Sequence, residues 1–403
     1  MSRSASGIVE ATPFAPIEPP EAEPVNISAH HSAAAVRFGD RYLLKIFRRV
    51  EDGMSPELEV PRFLNAHAPT LTAQVVGALE LRQGRGEPST LAVLQALVPN
   101  VGTAWTHARE SLRRSFERVL TRTRETPPPF GIPRRLPDVA LTEVPPAVAE
   151  MIGAYLETAA LLGRRTADLH LVLASDERDP SFRPEPYVPA DRRSKYQSMR
   201  NLVGKAIRQL RDRLARVPPS LLDRARALAG HPERALKALE PLLRQGLTGL
   251  RIRIHGDYHL DQLLNTGKDF VIIDFEGPPG ELLAERRRKH SALRDIAGMV
   301  RSFHYAAITT LHDGTVVREV DRDLVSPWAE AWHRFVSSAF LRAYLDATGG
   351  AAFLPTREDL PLVLETHVIE KAFMELTEAL ELDTDTVGIP LVAVLDFVEA
   401  SGA

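Results

Sequence analysis

Ile254-His255-Gly256-Asp257-Tyr258-His259-Leu260-Asp261-Gln262, followed by Ile272-Ile273-Asp274-Phe275-Glu276, is the stretch on which the reading of this chain turns. An acid stands behind His-Gly, an amide follows it at Gln262, and a second acid closes an apolar run at Asp274. A carboxylate beside a hydroxyl can take its proton and fix its angle of attack. An amide oxygen and a carboxylate together suit Mg²⁺, which prefers oxygen ligands and keeps several waters beside phosphate oxygens. These residue types, in this order, point to phosphoryl transfer, where positioning and electrostatics supply most of the catalysis.

In protein kinases the same tasks fall to the Asp and Asn of H-R-D-x-x-x-x-N and to the Asp of D-F-G. Here Gly replaces Arg, Gln replaces Asn and Glu replaces the Gly of D-F-G, while the spacing from acid to amide is kept. Asp257 is therefore the candidate catalytic base, Asp274 the main Mg²⁺ ligand and Gln262 the second. Asp257 on its own reads more readily as a helix cap; its register with Gln262 and Asp274 favours the catalytic role. Glu276 either reaches metal-bound water or is a solvated turn residue. His255 reads as a packed residue bracing the loop. With Asp257 and His259 it also spells His-x-Asp-x-His, a zinc-type set, but that reading leaves Lys45, Gln262 and Asp274 without a common purpose.

Upstream, Val36 to Phe47 reads as a hairpin turning at Gly39-Asp40. Lys45 lies on its second strand between apolar neighbours, either snorkelling at an edge or holding phosphate with help from a helix acid. Met54 to His67 is a predicted helix started by Ser55-Pro56. It offers Glu59 as the partner of Lys45, with Glu57 as the runner-up. Segments 75–81 and 91–95 read as two further strands. Residues 1–24, rich in Pro, Ala and Glu, read as a flexible lead. Residues 25–98 then form a small nucleotide-binding lobe, and 99–403 a helical lobe carrying the catalytic loop and the acceptor site. Within the latter, 122–146 is a proline-dense loop, 147–174 one long helix, and 191–246 two or three helices. Short strands at 251–254 and 270–273 flank the loop, and helices return over 291–346 and 357–381. The predicted class is α+β: a bilobal, protein kinase-like fold with ATP between a β-rich lobe and a helical one.

Composition excludes several alternatives. The 403 residues carry a net charge of -3, 44% hydrophobic residues and no cysteine. Disulfides and zinc–thiolate sites are out, and the near-neutral balance gives no footprint for nucleic acid. No run resembles a signal peptide or a membrane span, so a cytoplasmic protein with no membrane partner is expected. The basic run Glu285-Arg286-Arg287-Arg288-Lys289-His290 is either a solvated face or a contact to acceptor or phosphate through an Arg.

The run from His255 to Ala307 closely resembles the maltokinase family, bacterial enzymes related to aminoglycoside phosphotransferases and often fused to trehalose synthase. The family pattern is similar to HGDYHLGQ, IDFEGEP, LAERR and LRDVAGMLRSF-x-YAA; here it reads HGDYHLDQ, IIDFEGPP, LLAERRRKH, SALRDIAGMV and RSFHYAA. GDRYLLKIFRRV, PELEVPRFL, LAVLQALVPN and LLGRRTADLHLVLAS extend the resemblance from about residue 25 onward. It implies transfer of the ATP γ-phosphate to the anomeric hydroxyl of maltose, giving maltose 1-phosphate. It supports Asp257 as base, Gln262 and Asp274 on Mg²⁺, and Lys45 with Glu59 on the ATP phosphates. Ser32, Gln95 and Val98 complete the expected nucleotide set. His255, Glu276, Arg286 and Tyr305 are the acceptor candidates; Tyr305 and Trp105 read either as platforms that stack on a pyranose or, more often for such residues, as core packing. Trehalose synthase is the implied partner. Two departures are local: the family's Gly-Asp-x-Trp is Gly102-Thr103-Ala104-Trp105, and Asp261 stands where the family has Gly. A kinase for another acceptor (glucosamine or an aminoglycoside) and a catalytically degenerate partner of trehalose synthase are the alternative readings.

Overall fold

A computed structural model describes residues 7–19, 23–29, 33–84, 86–122, 131–133, 135–244, 248–382 and 384–400. In chain order the elements begin with β1 (Ile8–Pro13), β2 (Pro24–Ala29), β3 (Ala33–Phe38), β4 (Tyr42–Phe47), α1 (Pro56–His67), β5 (Val75–Arg82) and β6 (Ser89–Ala96). Then come α2 (Ala104–Arg122), α3 (Leu136–Ala140), α4 (Pro146–Ile152), α5 (Tyr155–Leu173), β7 (Glu185–Pro186), α6 (Pro189–Asp212), α7 (Leu222–Gly230) and α8 (Pro232–Arg244). The chain continues with β8 (Leu250–Arg251), β9 (Leu263–Asn265), β10 (Phe270–Ile272), α9 (Leu283–Arg286), α10 (Leu293–His312), α11 (Arg322–Thr348), α12 (Leu360–Leu382) and α13 (Gly388–Ala400). Among the described residues no helix is long and apolar enough to cross a membrane.

Two compact units result. The first gathers Met1–His107, Arg164–Arg183 and Ile252–Lys289; the second holds Ala108–Gly163, Pro184–Arg251 and His290–Ala403. The sequence places its boundary after residue 98 instead. The Asp257 loop and part of α5 pack with the sheet, because contacts distant in sequence decide which segments belong together.

In the first unit an antiparallel sheet runs in the order β1-β5-β6-β4-β3-β2. The predicted hairpin is present as β3 and β4, with Phe38 opposite Tyr42 and Gly39 in the left-handed region at the turn. Lys45 lies on β4 between Ala35 on one side and Val93 on the other. Side chains alternate across a strand, so Leu43, Lys45 and Phe47 share one face. Phe47 packs on that face against Leu58 of α1, Val75, Ala78 and Val93. Helix α1 starts where expected: Ser55 caps it, its hydroxyl accepting from the Glu57 N–H.

Residues 8–13 correct the reading of a flexible lead. They pair with β5 from Ile8↔Arg82 to Pro13↔Gly77. Ile8, Val9 and Thr12 are β-branched, and the proline falls at the strand's end on a sheet edge, where its missing N–H costs no ladder bond.

The second unit is helical. Helices α6, α7, α8, α12 and α13 enclose one apolar core that includes Met199, Leu228, Leu239, Phe373 and Leu391. Around α10 and α11, Trp332 stacks near Tyr155 (5.1 Å) and Phe303 meets Phe340 edge-on (5.7 Å). Helix α5 approaches α11 so closely that a Cβ on Gly163 would stand 2.3 Å from the Phe340 carbonyl oxygen. The single helix expected over 147–174 is two. Gly153, at φ 64°, ends α4 with a left-handed residue and α5 starts afresh. The strand expected over 251–254 is also shorter: β8 stops at Arg251 and pairs with β7. The loop is flanked instead by the β9–β10 hairpin, which pairs Asn265 with Phe270. Helix α13 was not foreseen, since Gly388 to Ala400 is too uniformly apolar to show a helical period.

Candidate active site

The first unit brings the predicted acids and the predicted ammonium to one place. Lys45 Nζ donates to Asp274 Oδ1 at 2.7 Å, joining residues 229 apart in sequence. The same ammonium donates to Glu57 Oε1 at 2.7 Å, and Gln95 Nε2 donates to that oxygen at 3.1 Å. The partner of Lys45 is therefore Glu57, not Glu59. A helix turns 100° per residue, so side chains two apart point to nearly opposite sides; only one of the two acids can face β4. Glu57 is fully buried. Glu59 points the other way, accepting from Arg253 Nη2 and Arg287 Nη2 at 2.7 Å each.

This arrangement sets the charges. Burial alone would lower the Lys45 pKa, but Glu57, Asp274 and Glu276 overcome it and hold the ammonium firmly protonated. Burial pushes the Glu57 carboxyl up to about 7; Lys45 pulls it back, and Asp274 and Glu276 push it further. Three carboxylates thus share one ammonium, leaving a net negative locus. Asp274 is the only non-glycine among the described residues with a positive φ, 68°. Aspartate tolerates the left-handed region better than most side chains. Such outliers persist where the surroundings fix them.

The loop residues are held from several sides. His255 Nε2 lies 2.9 Å from the Ile273 carbonyl oxygen, and its ring sits against Tyr258 and Phe275. Tyr258 shares a 3.0 Å hydrogen bond with Thr166 of α5. The Ile273 N–H donates to the Gln262 carbonyl at 2.9 Å, which sets Gln262 beside the strand end that carries Asp274. Gln262 Nε2 lies 3.1 Å from His259 Nε2, so its amide oxygen is turned away from that contact. Asp257 stands 3.8 Å from His259 across Oδ2 and Nε2, with a side chain about one-fifth exposed. His255 spends its ring nitrogen on a backbone carbonyl, and no cluster of three His, Cys, Asp or Glu among the described residues is arranged to hold a metal. The oxygen set of Gln262 and Asp274, in a locus with surplus negative charge, fits a hard divalent cation such as Mg²⁺.

Other expected residues fall as follows. Val98 follows β6, its carbonyl accepting from Asn100 Nδ2 at 2.9 Å. Ser32 lies outside the described residues. Glu276 is buried at 8% exposure, beside Lys45 and Glu57. Arg286 donates to the Glu276 carbonyl at 2.9 Å and pairs with Glu51. The basic run is thus no uniform solvated face, since Arg287 binds Glu59 and Glu87 and Lys289 donates to the Pro180 carbonyl. Tyr305 belongs to the second unit, where the Arg301 guanidinium lies 5.5 Å from its ring centre. The two local departures from the family pattern meet: Thr103 Oγ1 donates to Asp261 Oδ1 at 2.9 Å. The acid absent at 103 is present across that contact. Sequence reasoning missed Arg253, which in the alternating run Arg251-Ile252-Arg253-Ile254 reads as a solvent-facing strand residue.

The sheet with its helix, the loop and the paired acids define a kinase-like α+β fold. The chain is 26% identical over 268 residues to a glucosamine kinase of Streptacidiphilus jiangxiensis, covering 66% of this chain and 49% of that protein. It therefore spans about half the length of that relative. Among solved structures, a glucosamine kinase (crystal form B) superposes with a TM-score of 0.69 at 21% identity, covering 99% of this chain and 81% of the other. A glucosamine kinase in complex with glucosamine, ADP and inorganic phosphate gives 0.68 at 21% identity, over 98% and 80%. No family model matches the chain.

Proposed function

We propose that this protein is a cytoplasmic ATP-dependent sugar phosphotransferase. The observation that carries the reading is the Lys45 ammonium bridging Glu57 and Asp274 at 2.7 Å each, beside the Asp257 loop. The Asp257 carboxylate takes the proton of the acceptor hydroxyl as its oxygen bonds to the γ-phosphorus; the bond from that phosphorus to the β–γ bridging oxygen breaks, and ADP leaves. Lys45 neutralises phosphate oxygens, and Glu57 keeps it aimed. Gln262 and Asp274 would hold Mg²⁺, which when bound draws charge from the phosphate oxygens. Nucleotide contacts would come from Lys45, Gln95, Val98 and Ser32.

Maltose is the acceptor that the sequence motifs favour, with the anomeric hydroxyl as the site of transfer. That reading carries trehalose synthase as a partner. Glucosamine is the second reading, favoured by the name of the relative and of the two superposing structures. An acceptor panel scored by ADP release, with product NMR, tests both. A new phosphate ester at C1 of maltose supports the first reading; turnover confined to glucosamine supports the second. No sugar-dependent ADP release, with no Mg-ATP binding by calorimetry, would leave a non-catalytic kinase fold.

A further inference from the structure

The acid that does not serve Lys45 is buried just as deliberately. Glu59 is 9% exposed and accepts from two guanidinium groups, one on each oxygen. Arg253 is 2% exposed, lies four residues ahead of Asp257 and also donates to the Arg287 carbonyl at 2.6 Å. Arg287 completes the set with a 2.9 Å bond to Glu87, which precedes β6. Next to it, Arg286 ties the Glu276 carbonyl to Glu51, and Glu51 accepts from the Leu283 N–H at 3.1 Å. Helix α1 is therefore gripped on both sides. Glu57 joins it to Lys45 and Asp274, while Glu59 joins it to the entry of the catalytic loop and to the segment that follows Glu276.

An ion pair out of water is weak evidence for stability, because the desolvation of its members offsets the attraction; breaking one side is nonetheless costly. What such a group does well is fix geometry. We propose that Glu59, Arg253 and Arg287 are positioning residues that set the height and rotation of α1, and through it the aim of Lys45 at the nucleotide phosphates. The proposal rests on the reading of the site as an ATP-dependent phosphotransferase. Loosening the clamp lets α1 turn, so Glu57 leaves Lys45 part of the time. Nucleotide affinity then falls, while the sugar KM and the Asp257 proton transfer stay as they were.

Arg287→Met is the informative variant, because it leaves the Glu59–Arg253 pair intact and neutral. The expected result is an ATP Kd by calorimetry raised tenfold or more, with the KM for sugar unchanged. Arg287→Lys, which keeps the charge but reaches a single acid, should recover part of the loss, and it carries the test alone if the Met variant does not fold. Arg288→Met is the control, since among the described residues the one ion-pair partner of Arg288 is its exposed neighbour Glu285. An Arg287→Met protein with a lowered melting temperature and wild-type ATP affinity would overturn the proposal, reducing the clamp to a structural brace. Wild-type protein that binds no Mg-ATP would instead strike at the phosphotransferase reading, so the two failures are distinguishable.

Discussion

At the scale of single residues, the account divides labour between Asp257, Lys45 and Glu57. Asp257→Asn keeps the shape and removes the proton acceptor. Sugar-dependent ADP release should fall by about 10²- to 10⁴-fold, with ATP binding by calorimetry near wild type. Glu57→Gln tests the other side. The ordinary carboxylate value of 4.5 rises to about 7 in the fold, chiefly through burial. A raised carboxylate contributes stability that is complete below about 4.5 and lost as pH climbs through about 7. Over the same window the ionised form needed to orient Lys45 accumulates. ATP affinity of the free enzyme should therefore rise with pH through neutrality while thermal stability declines. Both dependences should flatten in Glu57→Gln; an unchanged affinity profile in that variant would assign the titration to another group. The choice between Glu57 and Glu59 was not legible in sequence, since both acids fit one helix and only its rotation decides. Asp257, Gln262 and Asp274 could be proposed together from spacing, because one loop and the strand after it carry all three. The duties of Arg253, Arg286 and Arg287 were hidden, because their partners lie in α1 and its approaches, some 200 residues away.

At the scale of elements, punctuation residues explain both the successes and the misses. Gly39-Asp40 and Ser55-Pro56 set the hairpin and the start of α1, and each acts locally, Gly39 through its positive φ and Ser55 through its hydroxyl. Gly153 lies inside the single helix expected over 147–174, yet its positive φ divides that span into α4 and α5. β1 was obscured by the prolines around it, although its own residues favour an extended edge. The α5–α11 contact offers a direct check. Gly163→Ala places a Cβ 2.3 Å from the Phe340 carbonyl, a separation no Cβ tolerates, so the helices must part. Overpacking of this kind costs about 1–3 kcal/mol. The melting temperature should drop while ATP affinity, which the proposed function assigns to Lys45 and its neighbours in the first unit, holds. A Gly163→Ala protein as stable as wild type would mean that the two helices do not approach so closely.

At the scale of the whole molecule, the chain builds two compact units that interleave in sequence, and Lys45, Glu57, Asp257, Gln262 and Asp274 all fall in the first. The class of fold was readable because the order of hairpin, acidic helix, further strands and catalytic loop survives as linear motifs. The division between units was not, because it depends on which distant segments pack together. A ligand that binds only the folded protein stabilises it by RT ln(1 + [L]/Kd). Mg-ATP at one hundred times its Kd should add about 2.7 kcal/mol, seen as a rise in melting temperature. Lys45→Met leaves Glu57, Asp274 and Glu276 without their shared ammonium. It should abolish the rise, and a rise of wild-type size in that variant would place the nucleotide elsewhere. ADP release with maltose and with glucosamine, with the phosphorylated product identified by NMR, decides whether the protein is a sugar kinase. Turnover should depend on one of these sugars, on Mg²⁺ and on Asp257; release of ADP at the same rate with and without sugar, or in Asp257→Asn, would overturn that function.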